Sequence, residues 1–157
     1  MEKDNKYIAH YKSPVGFLEI VGTEKGIISV SFVDKIPDDE ASVHSCLNEC
    51  LSQLEEYFKK KRHSFSLPLL LHGTDFQKRV WDELVKIPYG TTVSYGDVAT
   101  SLGNKGAARA VGGAAGKNRI AIIVPCHRVI ACGEKLGGFG GGIWRKEWLL
   151  NHEKKKK

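Results

Sequence analysis

An α+β fold is predicted, with a small antiparallel sheet and one helix in the N-terminal part and a mostly helical, winged-helix-like C-terminal part built on a helix-turn-helix. Three patterns carry this expectation. Short apolar runs separated by turn residues fill the first 33 positions, and apolar residues spaced by three or four follow from Asp38. Two helix-start signatures, Thr74-Asp75-Phe76-Gln77 and Ser94-Tyr95-Gly96-Asp97, then open the second half. At 157 residues the chain has room for one compact domain or two small ones. The change of pattern predicts two: a sheet-plus-helix domain over 1–70 and a second domain over 74–157.

The first three runs, Tyr7-Ile8-Ala9, Gly16 to Val21 and Gly26 to Phe32, are parted by Ser13-Pro14 and by Gly22-Thr23-Glu24-Lys25-Gly26, and so predict a three-stranded meander. Val43, Leu47, Leu51, Leu54 and Phe58 fall on one face of a helix running from Asp38 to about Arg62. Asp38, Asp39 and Glu40 suit its positive end, and Lys59 to Arg62 its negative end. Residues 65–72, with Pro68 and three leucines, form a packed connector. Phe76, Val80, Trp81, Leu84 and Val85 mark the next helix, which stops before Pro88-Tyr89-Gly90. A short helix from Ser94 to Leu102-Gly103 and a third through Ala107 to Gly116 make the helix-turn-helix.

That third helix carries Gly112, Gly113 and Gly116, each costing roughly 0.8–1 kcal/mol relative to alanine in a helix. Two readings of these small residues stand side by side: close packing against another helix, or a helix lying deep in a narrow DNA groove with Arg109 as its probe. Twenty-four Lys and Arg against eighteen Asp and Glu give a net charge of +6, which favours a polyanionic partner. Lys154 to Lys157 reads as a solvated tail. No apolar run approaches the roughly 20 residues that span a bilayer, and the charged start Met1 to Lys6 is unlike a secretory signal.

Ile120 to Val124 reads as a buried strand leading into Pro125-Cys126-His127-Arg128-Val129. Adjacent cationic or basic groups promote the thiolate, the nucleophilic form of cysteine. As a local pattern, however, a Cys-His pair fits a structural site as well as a catalytic one, because neighbouring strand side chains point to opposite faces.

The wider constellation is more specific. Phe76-Gln77-x-x-Val80-Trp81, Ser94 to Ala99, Ala107 to Gly112, Asn118, Pro125 to Val129, Gly137-Gly138-Phe139 and Lys146 to Leu150 occur in one order over Thr74 to Glu153. Together they resemble the signature of the O6-alkylguanine-DNA alkyltransferases, or methylated-DNA-protein-cysteine methyltransferases. The first 70 residues resemble that family's more variable N-terminal domain. The resemblance implies direct-reversal repair of double-stranded DNA. A methyl or other alkyl group would pass irreversibly from O6 of guanine, and from O4 of thymine, to Cys126, one turnover per molecule. The damaged DNA itself donates the group, so no cofactor is expected; no bound metal is expected either, and the chain is expected to act as a monomer inside the cell, in cytoplasm or nucleus.

The resemblance also implies roles residue by residue. Cys126 attacks the alkyl carbon; His127 accepts its proton through a water and is oriented by Glu153; Tyr95 donates to N3 of the leaving guanine, and Lys146 holds Tyr95. Arg109 enters the base stack, while Ala108, Ala110, Gly112, Gly113 and Ser94 contact DNA in the minor groove. Asn118 braces the turn before the active-site strand, and main-chain groups around Val129 and Gly140, with Phe139, form the base pocket. An O6 adduct faces the duplex interior, so a protein thiol reaches it only after the nucleotide is extruded. Two positions depart from the pattern: many relatives carry proline at Ala121 and tyrosine at Phe139, both near the alkyl pocket.

Cys46 and Cys50 lie four apart with His44 nearby, but no fourth ligand is local, and ordinary helix-surface or core cysteines are expected. Cys132 is expected to be a bystander in a turn, and His10, His63 and His72 to be surface or packing residues. Two other functions fit parts of the sequence: a lesion-binding protein without transfer, which would not need Cys126, and a helix-turn-helix transcription factor, which would bind by base sequence.

Overall fold

The computed structural model describes residues 5–37, 42–131, 139 and 141–154. The chain divides into two compact units, Met1–His72 and Gly73–Lys157. In the first, β1 (Tyr7–Ser13), β2 (Gly16–Thr23) and β3 (Gly26–Val33) form an antiparallel sheet in the order β1-β2-β3. Registers run from Tyr7 opposite Gly22 and from Phe17 opposite Val33, with an irregularity at Val21/Gly22. Ala9, Leu18, Ile20 and Val30 point into the core, as the period-two pattern requires. The connector adds to the sheet: Ile27 N–H donates to the Pro68 carbonyl (2.9 Å), and Leu70 N–H to the Ile27 carbonyl (2.8 Å). Gly26 permits this approach, since a Cβ there would lie 2.7 Å from the Pro68 oxygen.

The helix α1 spans Asn48–Phe58 and follows a 3-10 turn at Ser45–Leu47, so it is shorter than the sequence predicts at both ends. Residues 42–44 lie outside it, and Asp38 to Glu40 lie outside the described residues. His44 sets the start: its Nδ1 accepts the Cys46 N–H at 3.1 Å, and its ring stacks on Tyr7 with centroids 3.6 Å apart. At the other end Lys60 takes φ +63 and Lys61 N–H returns to the Glu56 carbonyl (2.8 Å). The basic residues therefore form a left-handed cap beyond the helix rather than its last turn. The buried face is Cys50, Gln53, Leu54, Tyr57 and Phe58, with Leu51 only half-buried. Gln53 is tolerated inside because its amide oxygen accepts Ser66 N–H at 3.0 Å and its NH2 donates to Glu49 at 2.8 Å.

The second unit holds α2 (Asp75–Val85), β4 (Val93–Ser94), α3 (Tyr95–Ser101), α4 (Ala108–Gly116), β5 (Val129–Ile130) and α5 (Ile143–Glu153). Both helix starts read from the sequence are reciprocal capping boxes, Thr74 with Gln77 and Ser94 with Asp97. On α2, Val80, Trp81 and Leu84 are buried, while Val85 is 49% exposed. β4 and β5 pair in parallel over two residues each.

Residues 120–124 are not the predicted strand. They form a tight reversal in which Val124 N–H donates to the Ile120 carbonyl (3.0 Å), with Ile122 at φ +72. Ile120, Ile122 and Val124 are apolar because they are buried on all sides, a circumstance that a short apolar run shares with a buried strand.

Trp81 Nε1–H donates to the Ala114 carbonyl at 2.9 Å, tying α2 to α4. Trp81→Phe is expected to destabilise the chain by about 1–3 kcal/mol through this lost buried bond and the indole volume. Urea unfolding of the full chain measures it, and an unchanged midpoint would show that the tie contributes nothing.

Candidate active site

The turn at Cys126–Arg128 is a single 3-10 turn entered through Pro125 and left through Val129 into β5. Its placement depends on Asn118, just past α4. The Asn118 NH2 donates to the carbonyls of Val124 (2.9 Å) and Ile120 (3.3 Å) and to Cys126 Sγ (3.3 Å), and its oxygen accepts Ile120 N–H (2.9 Å). One amide thus holds the 120–124 reversal closed and touches the thiol. Because the turn is 3-10 rather than strand, Cys126 and His127 project in different directions for a reason other than the predicted alternation.

Cys126 opens into a cavity of about 420 Å³ with Tyr95 and Phe139 and with Ala108, Arg109, Gly112, Ala115 and Gly116 of α4. Burial pushes the Cys126 thiol pKa up, against the opposing influence of the Asn118 hydrogen bond and the Lys146 charge. Desolvation outweighs the neighbouring cations, so the sulfur rests as a thiol whose proton must be taken up for it to react. Burial, followed by the nearby Cys126, likewise raises Tyr95 and keeps it a phenol donor.

Behind the thiol, His127 is wholly buried. Its Nε2 lies 2.7 Å from Glu153 Oε2, and Nδ1 has no hydrogen-bond partner among the described residues. Burial lowers the His127 pKa more than Glu153 raises it, so the ring is neutral at neutral pH. Burial would raise the Glu153 pKa, but hydrogen bonds from His127 and Arg128 outweigh it and hold the carboxyl far below the usual carboxylate range. A neutral ring facing a carboxylate carries its proton on Nε2, which leaves the Nδ1 lone pair as acceptor.

Lys146, fully buried on α5, donates to the Val129 carbonyl at 2.6 Å and lies 5.9 Å from the Tyr95 ring centroid. Burial lowers its pKa. The Val129 carbonyl expected in the base pocket thus already accepts one bond. Ser94 spends its hydroxyl on the α3 cap, Ala110 and Gly113 are exposed on α4 away from the cavity lining, and Gly140 and Cys132 lie outside the described residues.

Two contributors to this site carry no role in the sequence reading. Arg128 bonds both oxygens of Glu153, sharing Oε2 with its own neighbour His127, and Gly90 N–H donates to Glu153 Oε1 at 3.3 Å. Arg128 stands within the motif, but its partners Glu153 and Ile87 are distant in sequence and no local signal marks it as internal. Among the described residues no three His, Cys, Asp or Glu side chains cluster to hold a metal. Cys50 is core, its thiol pushed up to about 12 by burial, and Cys46, Cys50 and Cys126 are free thiols.

The family model described as "6-O-methylguanine DNA methyltransferase, DNA binding domain" matches residues 75–155, and that for the ribonuclease-like domain of the same family matches 6–71. The chain is 43% identical over 152 residues to the methylated-DNA-protein-cysteine methyltransferase of Methanosarcina acetivorans, covering 94% of this chain and 97% of that one. It is 44% identical to the protein of the same description from Mycobacterium tuberculosis, covering 92% of each. The crystal structure of the M. tuberculosis O6-methylguanine methyltransferase superposes with a TM-score of 0.85 at 42% identity, over 96% of this chain and 93% of that one. The M. tuberculosis OGT protein in complex with DNA gives 0.84 at 44% identity, over 92% and 91%.

The relay makes stability depend on pH with a definite sign. His127 and Glu153 both have folded pKa values below their ordinary 6.5 and 4.5. As pH falls through each ordinary value, the unfolded chain takes up a proton that the folded chain refuses, and stability is lost. The melting temperature is expected to fall from below about pH 6.5, with a further fall below about pH 4.5. A melting temperature constant between pH 7 and 4 would contradict the assignment.

Proposed function

This chain belongs to the 6-O-methylguanine DNA methyltransferase family, and from that premise we propose that it repairs double-stranded DNA by moving an alkyl group from O6 of guanine, or O4 of thymine, onto its own Cys126. The observation that carries this reading is the cavity in which Cys126 faces Tyr95 and Arg109 while the His127–Glu153 pair stands behind the thiol. A lesion-binding protein without transfer would need neither the thiol nor the pair.

The burial that keeps the sulfur protonated also assigns the work. His127 Nδ1 takes the Cys126 proton through a water as the S–C bond forms. The C–O6 bond breaks with its electron pair left on guanine, and the Tyr95 phenol neutralises that charge at N3. Glu153 then faces an imidazolium, and their hydrogen bond stabilises it. The product is a thioether, a poor leaving group, and no group in the cavity restores the thiol. Cavity and relay are built from one chain, which supports action as a monomer. No described helix is long and apolar enough to cross a membrane, and the substrate places the protein with DNA inside the cell.

Arg109 is exposed at the cavity mouth on α4, placed to fill the gap left by an extruded nucleotide. Lys146 supports Tyr95 from its position over the ring, and Asn118 braces the turn that carries Cys126.

With duplex DNA carrying labelled O6-methylguanine, the label should appear on Cys126 at no more than one methyl per chain. Cys126→Ser should lose transfer while keeping DNA binding, and sustained multiple turnover would sink the proposal.

Arg109→Ala should slow single-turnover repair of duplex DNA, where extrusion costs a few kcal/mol, but spare reaction with free O6-methylguanine base. An equal fractional loss on both substrates, with a lower melting temperature, would instead assign Arg109 to the fold.

A further inference from the structure

Arg128 is 5% exposed, and the relay as described makes no use of it. Its Nε donates to Glu153 Oε1 at 2.8 Å, its Nη2 to Glu153 Oε2 at 3.0 Å and its Nη1 to the Ile87 carbonyl at 2.7 Å. The guanidinium also lies 5.7 Å from the centroid of the Tyr89 ring. A planar fork on both carboxylate oxygens fixes the carboxylate plane as well as its position. The third bond anchors that fork to the turn between α2 and β4.

The fork also balances charge. A carboxylate facing an imidazole makes the ring more basic, and a cation on the same carboxylate opposes this. We propose that Arg128 is a positioning residue for the transfer reaction: by gripping both oxygens of Glu153 and the Ile87 carbonyl, it aims the carboxylate at His127 Nε2 and keeps the ring neutral, with Nδ1 able to accept a proton. The inference rests on the relay reading given above for Cys126 and His127.

The charged and titratable groups around the ring come from three places. Glu153 and Lys146 face it from α5, Cys126 and Arg128 belong to its own turn, and Tyr89 stands beside Glu153 and Arg128 from the 87–90 turn. Of these, Glu153 favours a charged ring, whereas Arg128 and Lys146 act with burial against it. Arg128 also bonds Glu153 directly.

Arg128→Met and Arg128→Lys in the full chain test this by two readouts: nitrogen NMR titration of the His127 ring, and the pH profile of single-turnover methyl transfer from duplex DNA. In Arg128→Met the ring should protonate at a pH higher by about one to three units, and the acid limb of the profile should move with it. Arg128→Lys keeps the charge without the fork. It should return the limb towards its wild-type position but leave the plateau rate roughly tenfold or more below wild type. A lower melting temperature with the His127 titration, limb and plateau all as in wild type would make Arg128 structural only and overturn the proposal. Should Arg128→Met fail to fold, Arg128→Lys decides alone: a wild-type plateau overturns the proposal, and a lowered plateau with the limb in place supports it. If the wild type transfers no methyl, the assignment of Cys126 fails, yet the NMR titration still tests Arg128.

Discussion

The relay proposed for the second unit depends on the buried carboxylate of Glu153. It sits on the last residue of α5, where the helix dipole disfavours a negative charge, and it is 1% exposed. A carboxylate in that position persists only if its oxygens are satisfied. Nε2 of His127, the Arg128 fork and Gly90 N–H do so. These donors come from the Cys126–Arg128 turn and from the 87–90 turn, so that one carboxylate fastens both to α5. Gly90, at φ +79, takes a conformation that other residues rarely adopt, and a Cβ there would press on the Glu153 carbonyl oxygen at 3.0 Å. Tyr89 adds a hydroxyl bond to the His152 carbonyl at 3.4 Å.

A second junction fixes the same cysteine from the other side. The 120–124 reversal puts Ile122, a β-branched residue, at φ +72, a conformation that costs on the order of 1–3 kcal/mol and survives only where its surroundings enforce it. Asn118 supplies the enforcement through its side-chain amide, and the same NH2 reaches Sγ. Strain at 122 is therefore the counterpart of a thiol whose position is set by α4 through Asn118 and by α5 through His127 and Glu153. A nucleophile held this way is pre-aimed, so little of the reaction barrier is spent on orienting it.

What the sequence revealed of this arrangement divides along the range of the interactions. The capping boxes at Thr74 and Ser94 were legible because donor and acceptor lie three residues apart, and the meander because its turns are short. The start of α1 was not legible, since it depends on a ring stack between His44 and Tyr7, 37 positions away (44 − 7). The apolar run 120–124 misled for a related reason: burial on all sides looks the same in a strand and in a closed turn. Cys126, His127 and Glu153 stand out as candidates only through the whole constellation of motifs. Arg128 was passed over because its partners, Glu153 and Ile87, lie 25 and 41 positions away, and no local pattern marks an arginine as internal.

The same reasoning separates the two readings of the glycines in α4. If close packing within the protein explained them, a Cβ at each would collide with a neighbour. Among the described residues, the nearest atoms at Gly112 are those of the Tyr95 ring at 3.8 Å, ordinary contact, and at Gly113 and Gly116 nothing lies within 4 Å. Alanine would fit at all three and would favour the helix by roughly 0.8–1 kcal/mol each. The internal packing of the second unit therefore does not account for their presence. A helix surface of small residues with Arg109 exposed on it fits instead an external body that must come close to the backbone, and the minor groove of duplex DNA expected from the family resemblance is such a body. The helix gives up intrinsic stability along that surface, and the Trp81 bond to Ala114 and the buried Val111 hold it against the rest of the unit.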